Sequence, residues 1–300
     1  MDVYQSITDK VIAAIEAGLS GGRCEMPWNS RLCGGDSMPT NAVGGYGYRG
    51  VNVLALWLAQ AAAGYPTGEW ATYRQWQSRG CQVRKGEKGT MTVFFKPVTW
   101  RGDDADSSDS EDGETGGRRG LIARAAFVFN AAQVDGYTSK AVPAPVTEFE
   151  RHAAAEALIE ATGATIRHGG SRAFYSPGRD AVQMPPRAAF RSADGYYAVA
   201  FHELGHWSGN EKRLARDLAN RFGSEAYAAE ELVAELCAAF LCGAVGISRE
   251  PRPDHAQYIA SWLKALRNDK RAIFTAASKA AAAADYIRAF NDASATKAAA

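Results

Sequence analysis

The stretch that decides the fold of the second half reads Tyr197-Ala198-Val199-Ala200-Phe201-His202-Glu203-Leu204-Gly205-His206. Five uncharged residues lead into two histidines spaced by four, with an acid beside the first. On a helix, positions four apart share a face, so both imidazoles reach one ion while Glu203 projects alongside. Two imidazoles on one face suit Zn²⁺, which accepts nitrogen and carboxylate oxygen in a tetrahedral shell. In a chain with only five histidines, the HExxH spacing arises by chance about 0.005 times. His202 and His206 are the expected ligands, and Glu203 the expected general base for a water activated by the metal.

A third protein donor is required. Residues 226–243 read as a helix carrying Glu230, Glu231 and Glu235. Glu231 and Glu235 share a face, and Glu230 is turned from Glu231 by about 100°. The expected third ligand is Glu231, with Glu230 as the alternative. Glu235, one turn on, is expected to orient an imidazole through its free N–H. Tyr175, Tyr196, Tyr197 and His255 are candidates for stabilising charge in a transition state. A metal with a purely structural role is the alternative to hydrolysis.

Around this core the chain has 300 residues, 46% apolar and 22% charged. That composition excludes a wholly disordered or collagen-like protein and fits two ordinary domains. The 34 Lys+Arg and 33 Asp+Glu leave a net charge of +1, so any nucleic-acid footprint must be local. No apolar run reaches the roughly 18–20 residues of a membrane helix, and the first residues lack the basic and apolar regions of a secretory signal. The five cysteines form no CxxC pair. Reduced thiols in a cytoplasmic protein are expected.

The periodicity predicts an α+β chain of two domains, 1–145 and 146–300. Helices are expected over 2–18, 51–63 and 73–79, and strands over 90–96 and 121–130. Between those strands, 101–120 holds seven acids and almost no apolar residue, as a disordered insertion would. Pro143 and Pro145 punctuate the boundary at 138–147. The second domain opens with a helix near 149–162 and short strands at 165–168, 173–175 and 181–184. Helices over 194–208, 224–243 and 255–268 follow, then an alanine-dominated tail from Ala276 that is helical to about Ala289 and frayed beyond.

The segment 40–100 carries seven basic residues against two acids, interleaved with ten aromatic rings. Cations that neutralise phosphates and rings that stack on bases are the elements of sequence-tolerant single-strand binding. Most such rings belong to a core, so composition alone is a weak guide. The run Arg84-Lys85-Gly86-Glu87-Lys88-Gly89 reads as a tight turn presenting charge. It lacks the spacing of a Walker phosphate loop.

Tyr48-Arg49-Gly50-Val51-Asn52-Val53-Leu54, Trp70-Ala71-Thr72-Tyr73, Gly80 to Gly89 and Phe127-Val128-Phe129-Asn130 together resemble the N-terminal domain of ArdC-type antirestriction proteins. TraC-type conjugative primases share that domain. Tyr175-Ser176-Pro177, Asp180, Met184-Pro185, Phe190, His202 to Gly209 and Glu230 to Glu235 resemble the zincin-type metallopeptidase domain that follows it. The resemblance spans roughly 1–290. It implies a first domain that binds single-stranded DNA, a second that is peptidase-like, and protection of incoming plasmid DNA from host restriction during conjugation. With it, Arg49, Arg84, Lys85 and Lys88 are the expected DNA cations, and Tyr48 and Trp76 the expected stacking rings. A host restriction protein or another peptide is the expected substrate of the metal domain. Two alternatives stand beside this reading: a zinc peptidase whose first domain binds a protein, and a DNA-coating protein with a structural zinc. The acidic insertion departs from the family pattern, and no primase region follows.

Overall fold

Apolar residues every three to four positions make Val3–Ser20 a helix, α1, with Ile7, Val11 and Ile15 buried along one stripe. In the computed structural model, the described residues are 2–20, 26, 28, 38–100, 118–139, 148–218, 224–247 and 255–298. The short strand β1 (Thr40–Asn41) precedes α2 (Val51–Ala63). Gly64 ends α2 in the left-handed region at φ 64°, where its N–H reaches the carbonyls of Gln60 and Ala61. Then come β2 (Glu69–Thr72), α3 (Tyr73–Ser78), β3 (Gln82–Val83), β4 (Thr90–Trp100), β5 (Arg118–Asn130) and β6 (Val134–Asp135).

The main sheet has the order β1-β2-β5-β4. Its frame is the long antiparallel pair β4–β5, in register from Thr90 opposite Val128 to Trp100 opposite Arg118. β2 has no counterpart among the expected strands, because Glu69–Thr72 is too short to show an alternation. It is nonetheless interior, and Trp70 and Ala71 are fully buried. The strand β5 starts at Arg118, so the last three residues of the expected insertion are ordered strand. The acidic residues themselves lie outside the described residues, as does most of the expected boundary at 138–147.

The second half contains α4 (Glu148–Ala161), β7 (Thr165–His168), β8 (Phe174–Ser176), β9 (Ala181–Met184), α5 (Ala193–Ser208), α6 (Glu225–Val245), α7 (His255–Asn268) and α8 (Ala272–Ala298). Its three strands form a sheet in the order β7-β9-β8. The alanine-rich end is a core element rather than a tail. Ile273, Ala277, Ala280, Ala283 and Ile287 of α8 are fully buried, and small side chains let its backbone lie close to its neighbours.

The two halves share one continuous apolar core, which includes Ile7, Val11 and Ile15 of α1 together with Val53, Leu54 and Trp57 of α2. The Trp57 ring lies 6.0 Å from that of Phe240 on α6. Thr8 Oγ1 donates to the Lys270 carbonyl at 2.8 Å, and Arg49 is ion-paired with Asp285 of α8. Cys81, Cys237 and Cys242 are buried; Cys24 and Cys33 lie outside the described residues. No helix among the described residues is long and apolar enough to cross a membrane.

Ala280→Leu adds three carbons to a fully buried site on α8 and is expected to destabilise the protein by about 1–3 kcal/mol. Ala282→Leu, at an exposed position of the same helix, is expected to leave the melting temperature unchanged. Thermal denaturation of the two variants checks this.

Candidate metal centre

The helix α5 begins on Ser192, whose Oγ accepts from Gly195 N–H at 3.0 Å. Its first turns are fixed from outside: His152 meets Asp194 at 2.7 Å, His168 meets the Tyr196 hydroxyl at 2.9 Å, and Tyr197 donates to Glu156 at 2.8 Å. Its last turn crosses α6 at close range. A Cβ added to Gly205 would stand 3.1 Å from Ala234 Cα and 3.3 Å from the Ala234 carbonyl oxygen. Glycine makes this approach without strain, whereas a Cβ would ask the α6 backbone to give by a few tenths of an ångström; the approach brings His202 and His206 up to the acids of α6.

His202 Nε2 lies 3.2 Å from His206 Nε2 and 3.4 Å from Glu231 Oε2, and His206 Nε2 lies 3.5 Å from Glu231 Oε1. Ligands bonded at ~2.0–2.1 Å in a tetrahedral shell stand about 3.3 Å apart. The two imidazole nitrogens therefore stand at the spacing of two corners of such a shell, with one Glu231 oxygen against each, and His202, His206 and Glu231 form the metal-capable group found among the described residues. Glu203 is buried beside them and takes no place in that group.

The second nitrogens are also provided for. His202 Nδ1 is buried without a hydrogen-bond partner and faces Glu235 Oε2 at 3.4 Å. His206 Nδ1 faces Glu230 Oε1 at 3.4 Å. A metal on both Nε2 atoms leaves each Nδ1–H aimed at its own carboxylate, the usual support for a ligating imidazole. Glu230 is thus placed behind His206 rather than among the donors. Arg216, which sequence reasoning missed, fastens it: the guanidinium meets Glu230 at 2.8 Å, Gly205 O at 2.6 Å and Ser208 Oγ at 3.0 Å. Trp28, also missed, donates from Nε1 to Glu235 Oε1 at 3.3 Å. No motif announces either residue, because both act through tertiary contacts.

The electrostatics follow from crowding these groups together. Burial opposes a charge on His206, but Glu230 and Glu231 overcome it and push its pKa up to about 10. Burial also opposes a charge on Glu231, yet His202 and His206 hold its carboxyl far below the usual range. Tyr227, one turn before Glu231, has its phenol raised by burial, by Tyr258 and by Glu231. The tyrosines expected near the reaction are engaged elsewhere. Tyr175 bonds Asp180, Asn210 and Arg213, while Tyr196 and Tyr197 serve as anchors of α5. The His255 side chain lies outside the described residues.

The expected DNA contacts are dispersed. Trp76 is a correction: it is fully buried and donates from Nε1 to the Phe129 carbonyl at 3.1 Å, so no ring face is left for a base. Tyr48 is half-buried, and burial pushes its phenol up to about 12. Arg49 is exposed but turned to Asp285. Arg84, Lys85 and Lys88 sit together on the turn between β3 and β4, all exposed.

Residues 1–129 match the N-terminal domain of anti-restriction factor ArdC, and residues 153–279 match a zincin-like metallopeptidase. The metal-free crystal structure of the antirestriction ArdC protein from plasmid R388 aligns with a TM-score of 0.78 at 37% identity, covering 97% of this chain and 98% of that one. The chain belongs to the ArdC antirestriction family. The Mn(II)-bound structure of the same ArdC protein aligns with a TM-score of 0.75 at 38% identity. Protein y4eC of Sinorhizobium fredii is 51% identical over 293 residues, covering 96% of this chain and 92% of that protein. DNA primase TraC of Escherichia coli is 37% identical over 308 residues. This chain spans 27% of that primase's length. The ArdC relationship carries the α+β, two-domain architecture.

Gly205→Val places three carbons where even one would stand tight against the α6 backbone. It is expected to cost about 1–3 kcal/mol and to part the histidines from Glu231. A denaturation curve of the metal-free protein measures the cost.

Proposed function

We propose that this protein is a cytoplasmic antirestriction factor in which a DNA-binding first domain works with a zinc-dependent peptidase-like second domain. It would protect plasmid DNA that enters a host as a single strand during conjugation. The observation that carries the proposal is the convergence of His202 Nε2, His206 Nε2 and the Glu231 carboxylate at 3.2–3.5 Å from one another, with Glu203 beside them. Membership of the ArdC family supplies the biological setting, and the Mn(II)-bound relative supports a divalent ion at this centre. Two imidazoles and one carboxylate suit zinc and leave a fourth position for water or substrate.

The bound ion supplies Lewis acidity toward a scissile carbonyl and toward a water. The chain's own residues do the rest. Glu203 accepts the proton of the attacking water and passes it to the leaving amine. Glu235 and Glu230 hold the Nδ1 protons of His202 and His206, which keeps both Nε2 lone pairs on the ion. The substrate is a host restriction protein or another peptide. One observation favours the alternative of a structural metal in a DNA-coating protein: Glu203 is only 3% exposed, and His202 and Glu231 are buried with it.

Metal titration and a paired substitution separate these readings. Zn²⁺ at 100 times its dissociation constant is expected to stabilise the wild type by about 2.7 kcal/mol, and His202→Ala is expected to abolish that gain. Unchanged metal content in His202→Ala refutes the site. Glu203→Ala is expected to keep the metal and the melting temperature while losing hydrolysis and protection against restriction. Protection that survives Glu203→Ala intact assigns the metal a structural role.

A further inference from the structure

Exposed rings gather on the first domain where the core offers them no cover. Tyr73 is 40% exposed and Phe127 51%. Phe129 lies between them in the fold: its ring centroid is 6.4 Å from that of Tyr73, and it shares a face of β5 with Phe127, two residues earlier. All three border the turn Arg84–Gly89. A Cβ on Gly89 would meet Phe127 Cβ at 3.1 Å and Phe129 Cζ at 3.2 Å, so glycine lets the Phe129 ring and the base of the Phe127 side chain lie against the turn backbone. Tyr73 and Phe129, with Gln82, Val83, Arg84, Lys85, Glu87 and Asp135, line an open cleft of about 500 Å³.

The turn is held rigid by its own side chains. Arg84 pairs with Glu87 at 3.0 Å and Asp135 at 3.5 Å and also donates to the Ala132 carbonyl. Gln133 Nε2 donates to Glu87 Oε2 at 3.0 Å and to the Lys88 carbonyl at 3.1 Å. Both acids of the cleft are thereby committed to Arg84. Lys85 and Lys88 are exposed and have no ion pair among the described residues. The surface thus combines two uncommitted cations with a row of three rings beside a concavity. An apolar protein partner has no use for the cations, and a duplex hides its base faces from the rings. A single strand uses both.

We infer that single-stranded nucleic acid lies along Tyr73, Phe129 and Phe127, with Lys85 and Lys88 on its phosphates. The inference rests on the DNA-binding reading and narrows it to one face. Arg84 is the clip that shapes the turn, Trp76 is core beneath it, and Tyr48 and Arg49 lie outside the track. Bases stack on the rings without regard to sequence, and Gln82, which donates to the Tyr73 hydroxyl at 3.2 Å, fixes the first ring of the row.

The test is fluorescence anisotropy of the full-length protein with a labelled oligothymidylate across a salt series. Tyr73→Ala and Phe127→Ala are each expected to weaken binding about tenfold. Lys85→Ala with Lys88→Ala is expected to flatten the log–log salt slope by about 1.4, two single-strand phosphate contacts. Phe94→Ala and Phe95→Ala, at rings equally exposed farther along β4, are expected to bind as wild type. All these side chains are exposed, and circular dichroism confirms that each variant folds. A wild type that binds at low salt, with the Tyr73, Phe127 and lysine variants binding equally well, overturns the assigned face while the DNA-binding reading stands. A wild type that does not bind overturns both. If Phe127→Ala splits a dimer in sedimentation and leaves DNA affinity unchanged, the face joins two copies of this chain and the inference is wrong.

Discussion

Everything at the candidate centre hangs on the crossing of α5 and α6 at Gly205 and Ala234. The contact lies one residue before His206 and three after Glu231, in the middle of the donor atoms. A side chain at Gly205 would ask α6 to give by a few tenths of an ångström or more, which is the scale that matters to a metal shell. The surroundings read as devices that keep this crossing closed. Arg216 bonds the Gly205 carbonyl on α5 and the Glu230 carboxylate on α6 with one guanidinium. Its planar, permanently charged fork can do both at once. The anchors at Tyr196 and Tyr197 stop α5 from sliding, and α8 packs along α6 with alanines that let it approach.

The same crossing explains why two acids stand behind the histidines. Imidazoles four residues apart share a helix face but turn their second nitrogens to different sides. One carboxylate cannot serve both. Glu235 faces His202, and Glu230, about 100° around α6 from Glu231, faces His206. The three glutamates are therefore arranged as a candidate ligand with a candidate support on either side. Glu231 and Glu235 are buried and Glu230 is half-buried, so each would be costly alone; each is made tolerable by a cation or a hydrogen-bond donor drawn from elsewhere in the fold.

How much of this the residues disclose in advance depends on whether the signal is local. HExxH and the Glu231/Glu235 pair are periodic features of single helices, and their placement follows from 3.6 residues per turn. α2 and α7 have their boundaries where the apolar pattern puts them. Alanine defeats such reading, since it is equally at home on a surface helix and at a tight helix contact, and only the structure shows α8 inside. Trp76 fails for a related reason. Ring chemistry is the same in a core and on a platform, and what differs is the Phe129 carbonyl waiting for its N–H. Arg216 and Trp28 lie outside any helix that carries a donor, so nothing in their neighbourhood points to the centre.

Trp28 and α2 also bear on how the two halves communicate. Trp28 belongs to the segment that matches the ArdC N-terminal domain, yet its indole supports Glu235 and so, at one remove, His202. α2 is bonded to β4 through Asn52, which exchanges hydrogen bonds with Val93 at 2.8 and 2.7 Å. On its other side it meets α6 through Trp57. The sheet that carries the exposed rings and the helix that carries Glu231 are thus two faces of one packed body. In such a body a ligand at one face can bias the other only through interactions that differ between the arrangements the two ligands favour. Thermodynamic linkage makes that bias reciprocal. Any factor by which a bound strand changes metal affinity must equal the factor by which bound metal changes affinity for the strand.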